Sequence, residues 1–180
     1  MEPVKIAING FGRIGRSFFR AAFGLLASPA GGPEFEIVAL NDLTDAETLA
    51  YLLKYDSVYG RYGRMVNATE QAIVVDDYEI PVSAEKDPAK LPWAKLGVDV
   101  VVESTGFFTD AAKAKAHLDA GAKQVVITAP ATGEVTTALV GVNDDRFRKP
   151  GRITCNASCT TNSVAPVMKI LLETLGIKKA

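Results

Sequence analysis

Six residues near the start of this chain, Gly10-Phe11-Gly12-Arg13-Ile14-Gly15, limit its architecture more than any other feature. They satisfy G-x-G-x-x-G without a gap. They also stand between a β-branched run at 4–8 and a stretch at 16–26 whose apolar residues (Phe18, Phe19, Ala22, Phe23, Leu26) recur at helical spacing. A strand feeding a helix through so tight a turn opens a βαβ unit. Ser28-Pro29-Ala30-Gly31-Gly32-Pro33 then predicts a loop, and residues 35–40 a second strand.

The pattern continues in the same alternation. Thr44-Asp45-Ala46-Glu47 fits a capping box with Thr44 as the cap, opening a helix to about residue 55. Residues 59–64 are loop-like, and 72–75 with 78–82 predict a hairpin around Asp76-Asp77. Asp87-Pro88 has the form of an N-cap followed by proline. Residues 98–103 are almost pure valine, as in a strand buried on both faces. Thr109 is placed to cap the next helix, which Gly121 ends. Strands are expected at 125–129, 138–142 and 152–155, then a helix at 159–175 ended by Gly176. The fold class is therefore α/β: a doubly wound, mostly parallel Rossmann-type sheet with a β-hairpin insertion and a trailing C-terminal helix.

Charge narrows the partners. Lys+Arg 20 against Asp+Glu 21 leaves a net charge of -1, so no basic face invites nucleic acid or an anionic membrane, and anions must be held by local backbone geometry. No apolar run approaches spanning length and no signal peptide is visible, which reads as a cytoplasmic chain. Cys155 and Cys159 do not make a disulfide framework, in keeping with a reducing compartment.

The glycine turn has a chemical purpose in this setting. Gly10 permits the turn, Gly12 has no Cβ to block a pyrophosphate, and Gly15 lets the helix pack on the strand. The N–H groups of Arg13 and Ile14 would meet the phosphates with the helix dipole behind them. Asp42, just past the second strand, can accept from both ribose hydroxyls and would repel a 2′-phosphate, favouring NAD over NADP. Glycines cluster in any tight loop and an acid can simply end a turn. The strand before the motif, the helix after it and the acid's position together favour the cofactor reading.

A second stretch, Asn156-Ala157-Ser158-Cys159-Thr160-Thr161-Asn162-Ser163, places Cys159 at a helix N-terminus. There the free N–H groups favour a thiolate and could hold an oxyanion. Ser158, Thr160 and Thr161 add hydroxyls suited to a phosphate. A cysteine in a helix can equally be a small buried hydrophobe, and chemistry alone leaves both readings open. Cys155, at a strand end, is read as structural, and no metal-ligand cluster is expected.

Beyond these local readings, Asn9 to Arg16, Asn41-Asp42-Leu43-Thr44-Asp45, Lys54-Tyr55-Asp56-Ser57-Val58, Glu103-Ser104-Thr105-Gly106 and the Cys159 stretch resemble, in unbroken order, the phosphorylating glyceraldehyde-3-phosphate dehydrogenase family. The resemblance implies that Asn9 and the glycine turn hold NAD, with Asp42 on the adenosine ribose and Leu43 beside it. Lys86, Ser104, Thr105, Gly106 and Phe108 would line the adenine and ribose pocket, with Thr128 towards the nicotinamide. Lys86 replaces a usual arginine and Thr128 a usual serine. Cys159 would be the catalytic nucleophile. It would form a hemithioacetal and then a thioester, which inorganic phosphate, bound by Ser158 and Thr160, converts to 1,3-bisphosphoglycerate.

The resemblance further implies a division into an NAD-binding domain at 1–157 and the first helix of a catalytic domain at 158–180. It also implies a homo-oligomer (a tetramer in the family) or a complementary catalytic half as partner. The family's general-base histidine is expected a few residues beyond Ala180. His117, amid Lys113, Lys115 and Asp119, reads as a solvated surface residue. Alternative functions are a stand-alone NAD-binding module without turnover, or part of an erythrose-4-phosphate dehydrogenase. The 164–175 stretch, apolar around much of its circumference, is expected to expose a patch.

Overall fold

Strand and helix alternate as the pattern requires. The computed structural model describes residues 2–26 and 35–179, and the loop expected at 28–33 lies outside them. In chain order come β1 (Val4–Asn9), α1 (Arg13–Leu26), β2 (Phe35–Asn41), α2 (Ala46–Lys54) and two short strands, β3 (Tyr55–Asp56) and β4 (Gly60–Arg61). β5 (Val66–Ala68), β6 (Ala72–Val75) and β7 (Tyr78–Ser83) follow, then a 3-10 turn at Pro88–Lys90, α3 (Trp93–Leu96), β8 (Val100–Glu103) and α4 (Ala111–Asp119). The chain closes with β9 (Gln124–Ile127), β10 (Thr136–Thr137), a 3-10 turn at Asp144–Arg148, β11 (Ile153–Cys155) and α5 (Cys159–Thr174).

Among the described residues nine strands form one sheet in the order β10-β11-β9-β8-β1-β2-β7-β6-β5. β5 and β6 are antiparallel additions at one edge, the expected hairpin being β6–β7, and the remaining pairs are parallel. The chain builds outward from β1 through β2 to β7, then returns to lay β8 on β1's other side. The direction of winding reverses between β1 and β8, and a crevice opens at their C-terminal ends.

The period-2 alternation of strand side chains divides the core. Ile6 and Ile8 face Phe11, Phe19, Phe23, Leu49 and Leu53, whereas Ala7 between them faces Trp93 and Val101 on the other side. Phe11 meets Phe19 edge-on with ring centroids 5.6 Å apart, so the glycine turn is pinned to the core through its own second residue. Burying such a side chain contributes roughly 1.5–3 kcal/mol.

Several local expectations shift. Helix α1 begins at Arg13, three residues earlier than the apolar pattern indicated. The cap of α2 is Asp45 rather than Thr44: its carboxylate accepts the Thr48 N–H at 2.8 Å, while the Thr44 N–H turns to Asp42 Oδ1. Likewise Asp110, not Thr109, caps α4 by accepting the Ala112 N–H. Residues 138–142 are not a strand. Asn143 Oδ1 captures the Leu139 N–H at 2.7 Å and Gly141 takes a φ of 77°, so only Thr136–Thr137 pair with β11. Residues 60–61, expected in a loop, pair with β3.

Candidate cofactor cleft and exposed thiol

Each glycine of the turn meets a different constraint. Gly10 has a φ of 89°, and a Cβ there would lie 2.6 Å from the Thr105 backbone nitrogen. At Gly15 a Cβ would lie 2.2 Å from the Gly10 carbonyl oxygen. At Gly12 a Cβ would meet nothing within 4 Å, because it would project into open space. That open space belongs to a cleft of about 540 Å³ lined by Asn9, Gly10, Gly12, Asn41, Asp42, Leu43, Glu85, Lys86, Ser104, Thr105, Phe107 and Phe108. Its size suits a small-molecule ligand.

Asp42 joins the glycine turn to the exit of β2. Its Oδ2 accepts the Phe11 N–H at 2.7 Å and its Oδ1 the Thr44 N–H at 3.0 Å. Each carboxylate oxygen keeps lone-pair capacity for a further donor. Ser104 Oγ donates to the Gly10 carbonyl at 2.7 Å, closing the opposite wall. Arg16 braces the turn by donating from Nη1 to the Phe11 carbonyl at 2.8 Å, and burial lowers its pKa. The Arg13 side chain turns away to Asp56 at 3.1 Å, so Arg13 can meet a ligand in the cleft only through its backbone N–H.

Most of the residues singled out in the sequence converge on this cleft: Asn9, Gly10, Gly12, Asp42, Leu43, Lys86, Ser104, Thr105 and Phe108 line it. Arg13 and the exposed Ile14 open α1 beside it, and Gly15 lies behind Gly10. Gly106 turns the loop after β8 with a φ of 78°. Thr128 is not among the lining residues; its N–H and hydroxyl both donate to the Glu103 carbonyl, at 3.0 and 3.1 Å. Sequence reasoning missed Asn41, Glu85 and Phe107. A polar residue in the last position of a buried strand was the available signal for Asn41.

His117 corrects the reading most sharply. It is 0% exposed: Trp93 Nε1 donates to its Nδ1 at 3.0 Å, and its Nε2 lies 2.9 Å from Glu103 Oε2. The charged neighbours in sequence point outward, while His117 shares the inward face of α4 with the buried Ala114. It is a core residue.

At the other informative stretch, β11 turns sharply into α5. Ala157 adopts a φ of 61°, a left-handed conformation costing an L-residue roughly 1–2 kcal/mol. Asn162 Nδ2 braces the turn by donating to the Asn156 carbonyl at 2.6 Å and the Ser158 carbonyl at 2.9 Å. Ser158 is the N-cap, its Oγ accepting the Thr161 N–H at 2.9 Å, and Thr160 and Thr161 hydroxyls lie 2.9 and 2.6 Å from it. Cys159 is exposed as the first helical residue, whereas Cys155 is buried; both are free thiols. A larger groove of about 990 Å³ runs along the apolar side of α5 past Val164, Met168 and Leu172. No residue of α5 is buried, and Ile170, Leu172 and Leu175 are exposed.

Sheet topology, glycine turn and acid-tipped second strand together define a dinucleotide-binding domain of the Rossmann type. The family model described as glyceraldehyde 3-phosphate dehydrogenase, NAD binding domain, matches residues 4–111. Glyceraldehyde-3-phosphate dehydrogenase of Thermotoga maritima is 53% identical over 173 residues, covering 96% of this chain and 50% of that protein. Glyceraldehyde-3-phosphate dehydrogenase 1 of Bacillus subtilis is 53% identical over 177 residues (98% and 51%), and the Mycobacterium avium enzyme 54% over 176 (97% and 51%). The chain belongs to this glyceraldehyde 3-phosphate dehydrogenase family, and it spans about half the length of the curated relatives it matches. Among the described residues no helix is long and apolar enough to cross a membrane.

Proposed function

We propose that this chain supplies the NAD-binding half and the nucleophile of an enzyme that oxidatively phosphorylates glyceraldehyde 3-phosphate to 1,3-bisphosphoglycerate. The observation that carries the reading is the exposed Cys159 at the capped head of α5, in a chain whose glycine turn leaves room for a pyrophosphate beside Gly12. The space beside Gly12, the free first-turn N–H groups of α1 and the Asp42 carboxylate fit NAD. Asn9, Gly10, Gly12 and the backbone of Arg13 and Ile14 would hold the pyrophosphate side. Asp42, Lys86, Ser104, Thr105, Gly106 and Phe108 would hold the adenosine side, and Thr128 would lie towards the nicotinamide. When bound, the nicotinamide supplies a hydride acceptor.

In this reading Cys159 Sγ adds to the aldehyde carbon and carries the acyl group as a thioester. The hydroxyls of Ser158 and Thr160 hold the inorganic phosphate that cleaves it. Residues 1–157 form the cofactor domain and 158–180 begin a catalytic domain that covers the apolar side of α5. The sole histidine of this sequence, His117, is sealed in the core and cannot reach a substrate, so the base in this reading is a group other than His117. A general base contributes about a hundredfold or more in rate.

The test is an assay of the pure chain alone and with the C-terminal half of a relative added. Alone it should show negligible NAD- and phosphate-dependent oxidation of glyceraldehyde 3-phosphate. Activity should appear on complementation and vanish with Cys159→Ser. Robust turnover by the pure chain would overturn the proposal.

A further inference from the structure

His117 is joined to the cofactor cleft by an unbroken buried chain of hydrogen bonds. An indole N–H can only donate, so Trp93 makes His117 Nδ1 an acceptor. The ring's proton must then sit on Nε2, aimed at Glu103 Oε2. Glu103, 2% exposed, collects donors on both oxygens. Oε2 accepts from His117 Nε2 at 2.9 Å and Asn9 Nδ2 at 2.6 Å, and Oε1 accepts the Thr105 N–H at 2.8 Å and the Thr105 hydroxyl. Four donors thus converge on the two Glu103 oxygens, and among the described residues no lysine or arginine pairs with them.

Both arms end in the cleft. On one side Glu103 fixes Thr105, whose hydroxyl accepts the Phe107 N–H at 3.1 Å, and whose backbone packs where a Cβ on Gly10 would collide. On the other, Asn9 Oδ1 accepts from Asn41 Nδ2 at 2.7 Å, and Asn41 Oδ1 accepts the Glu85 N–H at 2.9 Å. The loops after β1, β2, β7 and β8 are thus tied to one carboxylate. Phe108, a cleft residue, also meets the His117 ring edge-on at 6.1 Å between centroids.

We propose that His117 is a positioning residue for the cofactor cleft: by donating to Glu103 from Nε2 it orients that carboxylate, and through it the Thr105 and Asn9 walls that receive the adenosine half. The proposal rests on the NAD reading above. A carboxylate that loses one donor can rotate to recover it elsewhere, and here rotation would release Thr105 or Asn9.

Two variants separate positioning from mere packing. His117→Asn keeps a polar group near the Nδ1 position, facing Trp93, but cannot reach Glu103. His117→Gln places its amide nitrogen near the Nε2 position and keeps the donor. NAD affinity, read by calorimetry beside the melting temperature, should fall about tenfold in H117N and stay within about twofold of wild type in H117Q. Equal affinity in H117N and wild type, or equal losses in both variants tracking their melting temperatures, would overturn the proposal while leaving the NAD reading intact. No NAD binding by wild type would overturn both.

A measurement without mutation covers the case of a variant that does not fold. The sequence holds one histidine and one tryptophan, so nitrogen-edited NMR gives one imidazole and one indole signal. We expect a proton on Nε2, a bare Nδ1, and a shift of the Trp93 indole N–H when NAD is added. A proton on Nδ1, or an unmoved indole signal at NAD saturation, counts against the relay.

Discussion

Alanine substitutions at the three glycines of the turn should have three different consequences. At Gly15 the new Cβ would lie 2.2 Å from the Gly10 carbonyl oxygen, a backbone atom that cannot swing aside, with Ser104 Oγ at 3.0 Å and Ile8 Cγ2 at 3.2 Å. Helix α1 must shift from β1, an overpacking cost of about 3 kcal/mol. For a chain of this size that corresponds to a drop in melting temperature of roughly 6–12 °C. Gly10→Ala combines a left-handed backbone penalty of about 1–2 kcal/mol with a collision against Thr105, so it should destabilise to a similar degree. Gly12→Ala meets nothing within 4 Å, so its stability should change by less than about 0.5 kcal/mol. Its methyl group would instead occupy the space assigned to the pyrophosphate and weaken NAD binding at least ~10-fold. Melting by circular dichroism and NAD titration by calorimetry read the two effects separately. Wild-type affinity in G12A, or a wild-type melt in G15A, would refute the reasoning.

Three further outcomes follow from single features. The Asp56 carboxyl is pulled from 3.8 to about 2, by the Tyr59 and Val58 N–H groups ahead of Arg13. A depressed native pKa gives stability that is present above the unfolded value and lost as pH falls through the folded one. The excess melting temperature of wild type over Asp56→Asn should therefore be constant above about pH 5 and shrink towards pH 2; a constant difference throughout would contradict this. Exposed Cys159 should react at once with a thiol reagent and buried Cys155 only on unfolding, so Cys159→Ser should abolish the fast reaction. Finally, the exposed side chains of α5 should drive concentration-dependent association in sedimentation, relieved by Ile170→Lys with Leu172→Glu. A wild-type monomer at high concentration would count against it.

What could be read from the sequence was whatever each residue does locally. Gly10, Gly12 and Gly15 share one turn, and Asp42 follows its strand directly, so spacing located that wall of the cleft, whereas Lys86, Ser104, Thr105 and Phe108 came only from the family resemblance. The valine run of β8 and the hairpin β6–β7 followed from periodicity. Caps slipped by one residue because Asp45 and Asp110 outcompeted the threonines beside them for the first free N–H groups. His117 was hidden for a different reason: its hydrogen-bond partners lie 24 and 14 residues away, in Trp93 and Glu103. The charges beside it in sequence describe the opposite face of its helix. The pairing of Ala114 with His117, three residues apart, was the one local sign that this face is buried.

The central claim is that the cleft holds NAD, with Asp42 setting the choice of dinucleotide. Calorimetric titration of the wild-type chain with NAD and with NADP tests it most directly. Saturable NAD binding, with NADP at least ~10-fold weaker and the gap narrowed by Asp42→Asn, is the expected result. Absence of saturable NAD binding, or equal affinity for NADP, would contradict it.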